Sequence, residues 1–296
     1  MPKSFSYYLT ILVIRLKGIK KAFSQSPINY LAIRKDDVKM PKSKFFKSLK
    51  SNTFTINETS ITEIKKDEKS NKLLIFFHGG AFISGPTQLH WDAIERIVKE
   101  TNHTVWMCDY PKAPEHKIHQ ISSNIDAVYS FATQKFDTEN IILLGDSAGG
   151  TLVIALTQRL IQKTHKLPSK LIIISPVLDS SFENIKIEAI DQKDPMLSKV
   201  GVLSAKTMCA EDGNLKNISL SPIYGSFNKF PKTHLFLAEN DITYPDQVLL
   251  CEILKQTDVE YSVIEGKGMP HIWPLLPVMK EAKIALTKII KLINEQ

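Results

Sequence analysis

The sequence predicts an α/β fold, with a mostly parallel sheet and helices on both faces. Three observations carry this expectation. Residues 73–77, 104–108, 141–144, 171–174 and 234–238 form short apolar runs without helical spacing, as strands buried on both faces do. Stretches with apolar residues at helical spacing lie between most of them. The run at 141–144 passes through Gly145-Asp146-Ser147-Ala148-Gly149-Gly150 straight into a helix-compatible stretch at 151–156.

In chain order, the apolar stretch 5–14 lies behind Lys3, with Phe5, Tyr8, Leu9, Leu12, Leu16 and Ile19 at helical spacing. It is too short to span a bilayer. Arg15, Lys17, Lys20 and Lys21 follow it where a signal peptide would have small residues. The expectation is an amphipathic helix, packed on the protein's own body or lying on a membrane surface. Ser26-Pro27 breaks it, and residues 35–50 read as basic and irregular. Residues 53–57 and 60–65 alternate as a hairpin, and 65–72 is a charged loop. Helices are expected over 88–100, 119–134, 246–256 and 277–294, and a last strand over 261–264. Residues 177–222 contain no clear strand, and an insertion of that length in a regular pattern reads as a lid.

The chain has 296 residues, 43% hydrophobic and 23% charged, and is expected to form a single domain with a sizeable core. Residues 1–50 hold 12 of the 38 basic residues and 2 of the 31 acidic ones, so the rest of the chain is slightly acidic. That distribution argues against nucleic-acid binding by the main body. Cys108, Cys209 and Cys251 are few, odd in number and far apart. They suit a reducing, cytoplasmic compartment, with peripheral membrane contact through the basic first helix as a further possibility. No His/Cys cluster suggests a metal, and no cofactor is expected.

Gly145-x-Ser147-x-Gly149 between a strand and a helix has the form of a nucleophile elbow, with the serine at the apex of a sharp turn. The same letters resemble the serine motif of chymotrypsin-type proteases. There the serine comes last in the chain, whereas Ser147 lies mid-chain with a helix after it. A serine hydroxyl is a weak nucleophile, so the elbow needs a base, a group to orient that base, and oxyanion donors.

The remaining motifs stand at the carboxyl ends of predicted strands, where α/β sheets bind ligands. They are His78-Gly79-Gly80-Ala81, the segment Asp109-Tyr110-Pro111-Lys112-Ala113-Pro114-Glu115-His116, Asp241, and His271. With the elbow, these resemble the hormone-sensitive-lipase-like family of α/β-hydrolase esterases and lipases over about residues 70–290. The resemblance implies an α/β-hydrolase fold with a helical cap, here built from 1–50 and 177–222. It implies Ser147 as nucleophile, His271 as base and Asp241 as the acid that orients it, in the chain order of that fold. It also implies an oxyanion hole at Gly79, Gly80, Ala81 and Ala148, with Gly79 letting the loop approach. Ala81 replaces the family's third glycine, which requires a backbone there that an L-residue adopts readily.

Glu239 and Asp246 compete with Asp241 for the acid. His78 and His116 read as braces for their own loops, and Asp146 as a loop-fixing acceptor. Trp91, Phe82, Ile272 and Trp273 suggest an apolar pocket. The function expected is hydrolysis of short to medium acyl esters through an acyl-enzyme, rising with pH through an ordinary histidine pKa of about 6.5. Amide or N-acetyl hydrolysis with the same residues, and a non-catalytic small-molecule receptor on this fold, are the alternatives.

Overall fold

The computed structural model describes residues 2–41, 49–66 and 70–295. The N-terminal segment holds α1 (Phe5–Leu16), α2 (Ile19–Ala22) and α3 (Tyr30–Ile33). The hairpin β1 (Lys50–Ile56) and β2 (Thr59–Lys65) follows, then β3 (Leu73–Phe77), α4 (Gln88–Glu100), β4 (Thr104–Asp109) and α5 (Ile118–Ala132). Next come β5 (Ile141–Asp146), α6 (Ala148–Gln162), β6 (Lys170–Ile174), α7 (Ile187–Asp191) and α8 (Lys199–Cys209). The chain closes with β7 (Lys232–Asn240), α9 (Tyr244–Leu254), β8 (Tyr261–Pro270) and α10 (Lys280–Asn294).

The eight strands form one sheet in the order β1-β2-β4-β3-β5-β6-β7-β8. β2 is antiparallel to both neighbours, and every pairing from β4 to β8 is parallel. The apolar runs lack alternation because both faces are covered. Leu73, Ile75, Phe77, Leu143, Leu171 and Ile173 join the core with α5 and α6. Leu74, Phe76, Leu144, Ile172 and Ile174 join the core with α4 and α10. All three cysteines are free and buried.

The helices expected at 88–100, 119–134, 246–256 and 277–294 are present to within three residues at each end. β8 runs six residues past the strand expected at 261–264. Its tail, Glu265-Gly-Lys-Gly-Met-Pro270, has no apolar pattern, yet it pairs with β7 as far as Asn240–Pro270 across a register shift. The insertion 177–222 holds α7 and α8 and no strand, and a 3-10 turn (Pro222–Tyr224) begins at its last residue. Parts of the irregular segment 35–50 and of the charged loop 65–72 lie outside the described residues.

The first helix differs from expectation. Phe5, Tyr8, Leu9, Leu12 and Leu16, read as its packing face, are exposed. The side that packs carries Tyr7, Thr10, Ile11 and Ile14. α1 is apolar nearly all round, so spacing alone does not choose a face. Hydrogen bonds choose it. The Ser4 N–H and hydroxyl donate to the Glu281 carboxylate (both 2.8 Å), and the Tyr7 hydroxyl donates to the Gly268 carbonyl (2.9 Å).

The bend from β5 into α6 depends on two close approaches. A Cβ at Gly145 would stand 2.4 Å from the Gly149 carbonyl oxygen, and one at Gly149 would stand 1.8 Å from that of Phe77. Gly149→Ala is therefore expected to force β3 and α6 apart and to destabilise the fold by about 3 kcal/mol. Urea unfolding of the variant checks this; a loss under about 0.5 kcal/mol, the size of an ordinary surface change, would contradict it.

Candidate active site

Ser147 is the residue between β5 and α6, with φ 52° and ψ −121°. An L-residue adopts a positive φ only at a steric cost. The Ser147 N–H donates to the Ile174 carbonyl (2.9 Å), and its carbonyl accepts from Thr151 N–H (3.1 Å), so neighbours hold the strained turn. The serine is 7% exposed and lines a cavity of about 180 Å³ beyond the carboxyl ends of the strands.

The loop after β3 lines the same cavity with Gly80 and Ala81. The Gly79 N–H donates to Asp146 Oδ1 (3.0 Å), so it is not available to an oxyanion and Gly79 contributes only a close approach. The Gly80 and Ala81 N–H groups have no acceptor among the described residues. Ala81 has φ 55° and Phe82 φ 66°, so the backbone there is left-handed, contrary to the expectation from sequence. Strain at Ala81 is tolerated because the surrounding loop is pinned. Ile83 and Ser84 N–H both donate to the Gly80 carbonyl (2.9 and 3.1 Å), and the Tyr110 hydroxyl donates to the His78 carbonyl (2.7 Å).

His78 stacks on Tyr110 with ring centres 4.5 Å apart, and burial pushes its pKa down, as a brace requires. Asp146 is the loop-fixing acceptor expected. A partner the sequence did not suggest is His90 on α4. Its Nδ1 accepts the Thr87 N–H (2.8 Å), which puts the proton on Nε2, 3.4 Å from Asp146 Oδ2. His116 does not brace its loop: its Nδ1 has no hydrogen-bond partner, and Glu58 lies 3.9 Å away. Glu115 does so instead, through both oxygens on the Arg34 guanidinium (2.8 and 2.7 Å).

Asp241 and His271 meet. His271 Nδ1 donates to Asp241 Oδ2 at 2.6 Å, and both side chains are buried. The extended tail of β8 delivers His271, and the end of β7 delivers Asp241. Thr243 N–H donates to Asp241 Oδ1 (2.9 Å) and Gln247 Nε2 to Oδ2 (3.3 Å). The turn beyond His271 is held by Ile272 N–H donating to the Ser175 hydroxyl (3.1 Å), at the end of β6. The two rival acids lie elsewhere. Glu239 is exposed and accepts from Gly268 N–H. Asp246 accepts from Asn184, and burial raises its pKa to about 6.

A second buried carboxylate, Asp194, stands beside this pair. Its Oδ2 accepts the Ile242 N–H (2.9 Å), and its Oδ1 accepts those of Met196 and Leu197 (2.8 and 2.9 Å). Burial and the neighbouring Asp241 raise its pKa. Sequence reading passed over it because Asp194-Pro195 resembles an ordinary turn.

Of the aromatic pocket residues expected, Trp91 and Trp273 are core, with indole N–H groups donating to the Val38 and Leu237 carbonyls. Phe82 is buried, and Ile272 lines the cavity. Further apolar walls include Ile19, Phe23, Val177, Leu197 and Val202. Among the described residues, no group of three or more His, Cys, Asp or Glu could hold a metal ion.

Burial opposes a charged His271 ring, but the Asp241 carboxylate outweighs it, with Asp194 and Asp146 adding, and the pKa is raised above the ordinary value. This revises the figure of about 6.5 expected from sequence. A base must be neutral to accept a proton, so a raised pKa moves the acid limb of activity to higher pH. The expected kcat/KM profile on a slow ester has its midpoint above 6.5; a midpoint at or below that value would contradict it.

The α/β-hydrolase fold family model matches residues 74–275. An esterase of Acinetobacter venetianus is 29% identical over 231 residues, covering 77% of this chain and 76% of that protein. Esterase LipU of Mycobacterium tuberculosis is 28% identical over 240 residues, covering 76% and 78%. A crystal structure of an esterase from the bacterial hormone-sensitive lipase family superposes with a TM-score of 0.84 at 23% identity, covering 100% of this chain and 99% of that one. The chain thus belongs to the α/β-hydrolase fold family, among its carboxylesterase- and lipase-like hydrolases.

Proposed function

We propose that the protein hydrolyses carboxylic esters of short to medium acyl chains through Ser147, His271 and Asp241. The observation that carries this reading is the buried 2.6 Å contact of His271 with Asp241 at the cavity that Ser147 also lines. Asp241 holds the proton on Nδ1, so Nε2 is the ring nitrogen left to accept the Ser147 proton. Ser147 adds to the ester carbonyl, and the N–H groups of Gly80, Ala81 and Ala148 receive the oxyanion. His271 returns the proton to the leaving alcohol, and water attacks the acyl-enzyme by the same route.

Ser147→Ala is expected to remain folded and to lose turnover almost entirely, since the members of such a unit act together. Asp241→Asn should lower kcat by about four orders of magnitude, while Glu239→Gln and Asp246→Asn change it several-fold at most. Steady-state kinetics on an acetyl ester checks all four. A folded Ser147→Ala protein with near-normal kcat would overturn the reading.

The proposed cap is narrower than the expected 1–50 with 177–222: it takes residues 19–36, because Ile19, Phe23, Ile33 and Asp36 line the cavity, together with 177–222. In support, Lys20 Nζ donates to the Asp191 carbonyl and to that of Asp194 (2.9 Å). Ser204 accepts the Ile28 N–H (3.0 Å), and Gly201 packs so tightly on Phe23 that a Cβ would lie 1.9 Å from the Phe23 carbonyl oxygen. α1 lines no part of the cavity. Phe23→Ala should therefore cut kcat/KM on an octanoyl ester about tenfold more than on an acetyl ester. An unchanged octanoyl-to-acetyl ratio would remove Phe23 from the acyl site.

We further propose that the outer face of α1 touches anionic lipid surfaces. Phe5, Leu9, Leu12 and Leu16 are exposed there, and Arg15, Lys17 and Lys21 are exposed close by. Among the described residues no helix is long and apolar enough to cross a membrane. The triple change Leu9→Ser, Leu12→Ser, Leu16→Ser should abolish co-sedimentation with phosphatidylserine vesicles. Equal sedimentation of variant and parent would dismiss the contact.

A further inference from the structure

Lys206 lies on α8 in the proposed cap. It is fully buried and lines the same cavity as Ser147 and His271. Its Nζ has no hydrogen-bond partner among the described residues. It stands 4.0 Å from the centroid of the Phe82 ring, the residue next to Ala81. A ring face attracts the ammonium charge but leaves its N–H donors without an oxygen acceptor. Burial drives the Lys206 pKa down to about 7, the mark of a cation lacking a counter-ion.

The charged and titratable groups around it do not fill that need. Cys209, one turn along α8, is a thiol whose own pKa burial pushes up to about 12. Across the cavity, Asp146 is committed to Gly79 and His90, and His271 to Asp241. Asp36 is an exposed residue of the cavity wall. As packing alone, an apolar side chain would fill the Lys206 position at less cost than a buried amine.

We propose that Lys206 is a specificity-determining residue that receives a carboxylate at the far end of the acyl group. The preferred substrates are then hemiesters of short dicarboxylic acids. The acyl side is assigned because Lys206 lies over Phe82, which continues the Gly80–Ala81 loop that lines the cavity with Ser147. The alcohol must leave before water attacks, so the acyl part is what stays bound beside that loop. The reaction balances as ordinary hydrolysis: water is consumed, the alcohol departs protonated, and a dicarboxylate and one proton are released. This inference rests on the ester-hydrolase reading of the site.

The test compares monoethyl succinate and monoethyl glutarate with their uncharged isosteres, ethyl 4-methylpentanoate and ethyl 5-methylhexanoate, by pH-stat titration at neutral pH. The wild-type protein is expected to show kcat/KM at least tenfold higher on the hemiester of each pair. Lys206→Met is expected to lower that ratio at least tenfold, chiefly through KM. A wild-type ratio at or below one overturns the assignment even if the variant does not fold, and so does a ratio the variant leaves unchanged. Failure on both members of each pair, with Ser147 intact, counts against the hydrolase reading itself. Turnover of the neutral esters alone removes only the role of Lys206.

Discussion

The close approach of α6 to β3 is the constraint on which the rest of the site depends. With only hydrogen on Gly149, the helix start sits against the Phe77 carbonyl, and the chain has no room for a longer turn between β5 and α6. That forces Ser147 into its positive φ. The same crowding reaches the next loop, where a Cβ at Gly79 would lie 2.4 Å from Asp146 Oδ2 and 3.0 Å from the Ser147 Cβ. The turn at Ser147 and the loop at Gly79–Ala81, the proposed nucleophile and oxyanion loop, are thus crowded together, and Asp146 links them by accepting from Gly79.

The second pair of groups is set by electrostatics in a dry interior. Asp241, Asp194, Asp146 and His271 are all buried. Carboxylates are tolerated there because backbone N–H groups and ring nitrogens meet their oxygens. In the proposed mechanism the Nδ1 proton stays on His271, held by Asp241, while Nε2 takes the Ser147 proton and returns it to the leaving alcohol. Asp194 ties the turn after Asp241 to the start of α8, so the acid and the proposed cap share a support.

The sheet was legible because strands buried on both faces leave apolar runs that nothing else in a soluble chain requires. Ser147 stood out at the turn between an apolar run and a helix, while Asp241 and His271 were singled out by the family resemblance, and the structure brings those two together. What escaped detection lacks a local signal. His90 sits on a regular helix, Ser175 and Gln247 are common polar residues, and Lys206 is one lysine in a segment, 177–222, whose sequence says only that it is an insertion. The tail of β8 pairs through backbone groups alone, with no side-chain pattern to announce it. α1 misled because an all-round apolar helix has no preferred face until particular hydrogen bonds select one.

Residues 4–28 make their tertiary hydrogen bonds with residues 191–281: Ser4 and Ser6 with the start of α10, Tyr7 with Gly268, Lys20 with Asp191 and Asp194, Ile28 with Ser204. They leave the ribosome well before those partners do. Until residues 191–281 have been made, this segment lacks its hydrogen-bonding partners, whereas β3 to β6 precede all of them in the chain. The proposed cap joins residues 19–36 to 177–222, so it cannot close, and the cavity beside Ser147 cannot be complete, before the second of these segments has been made.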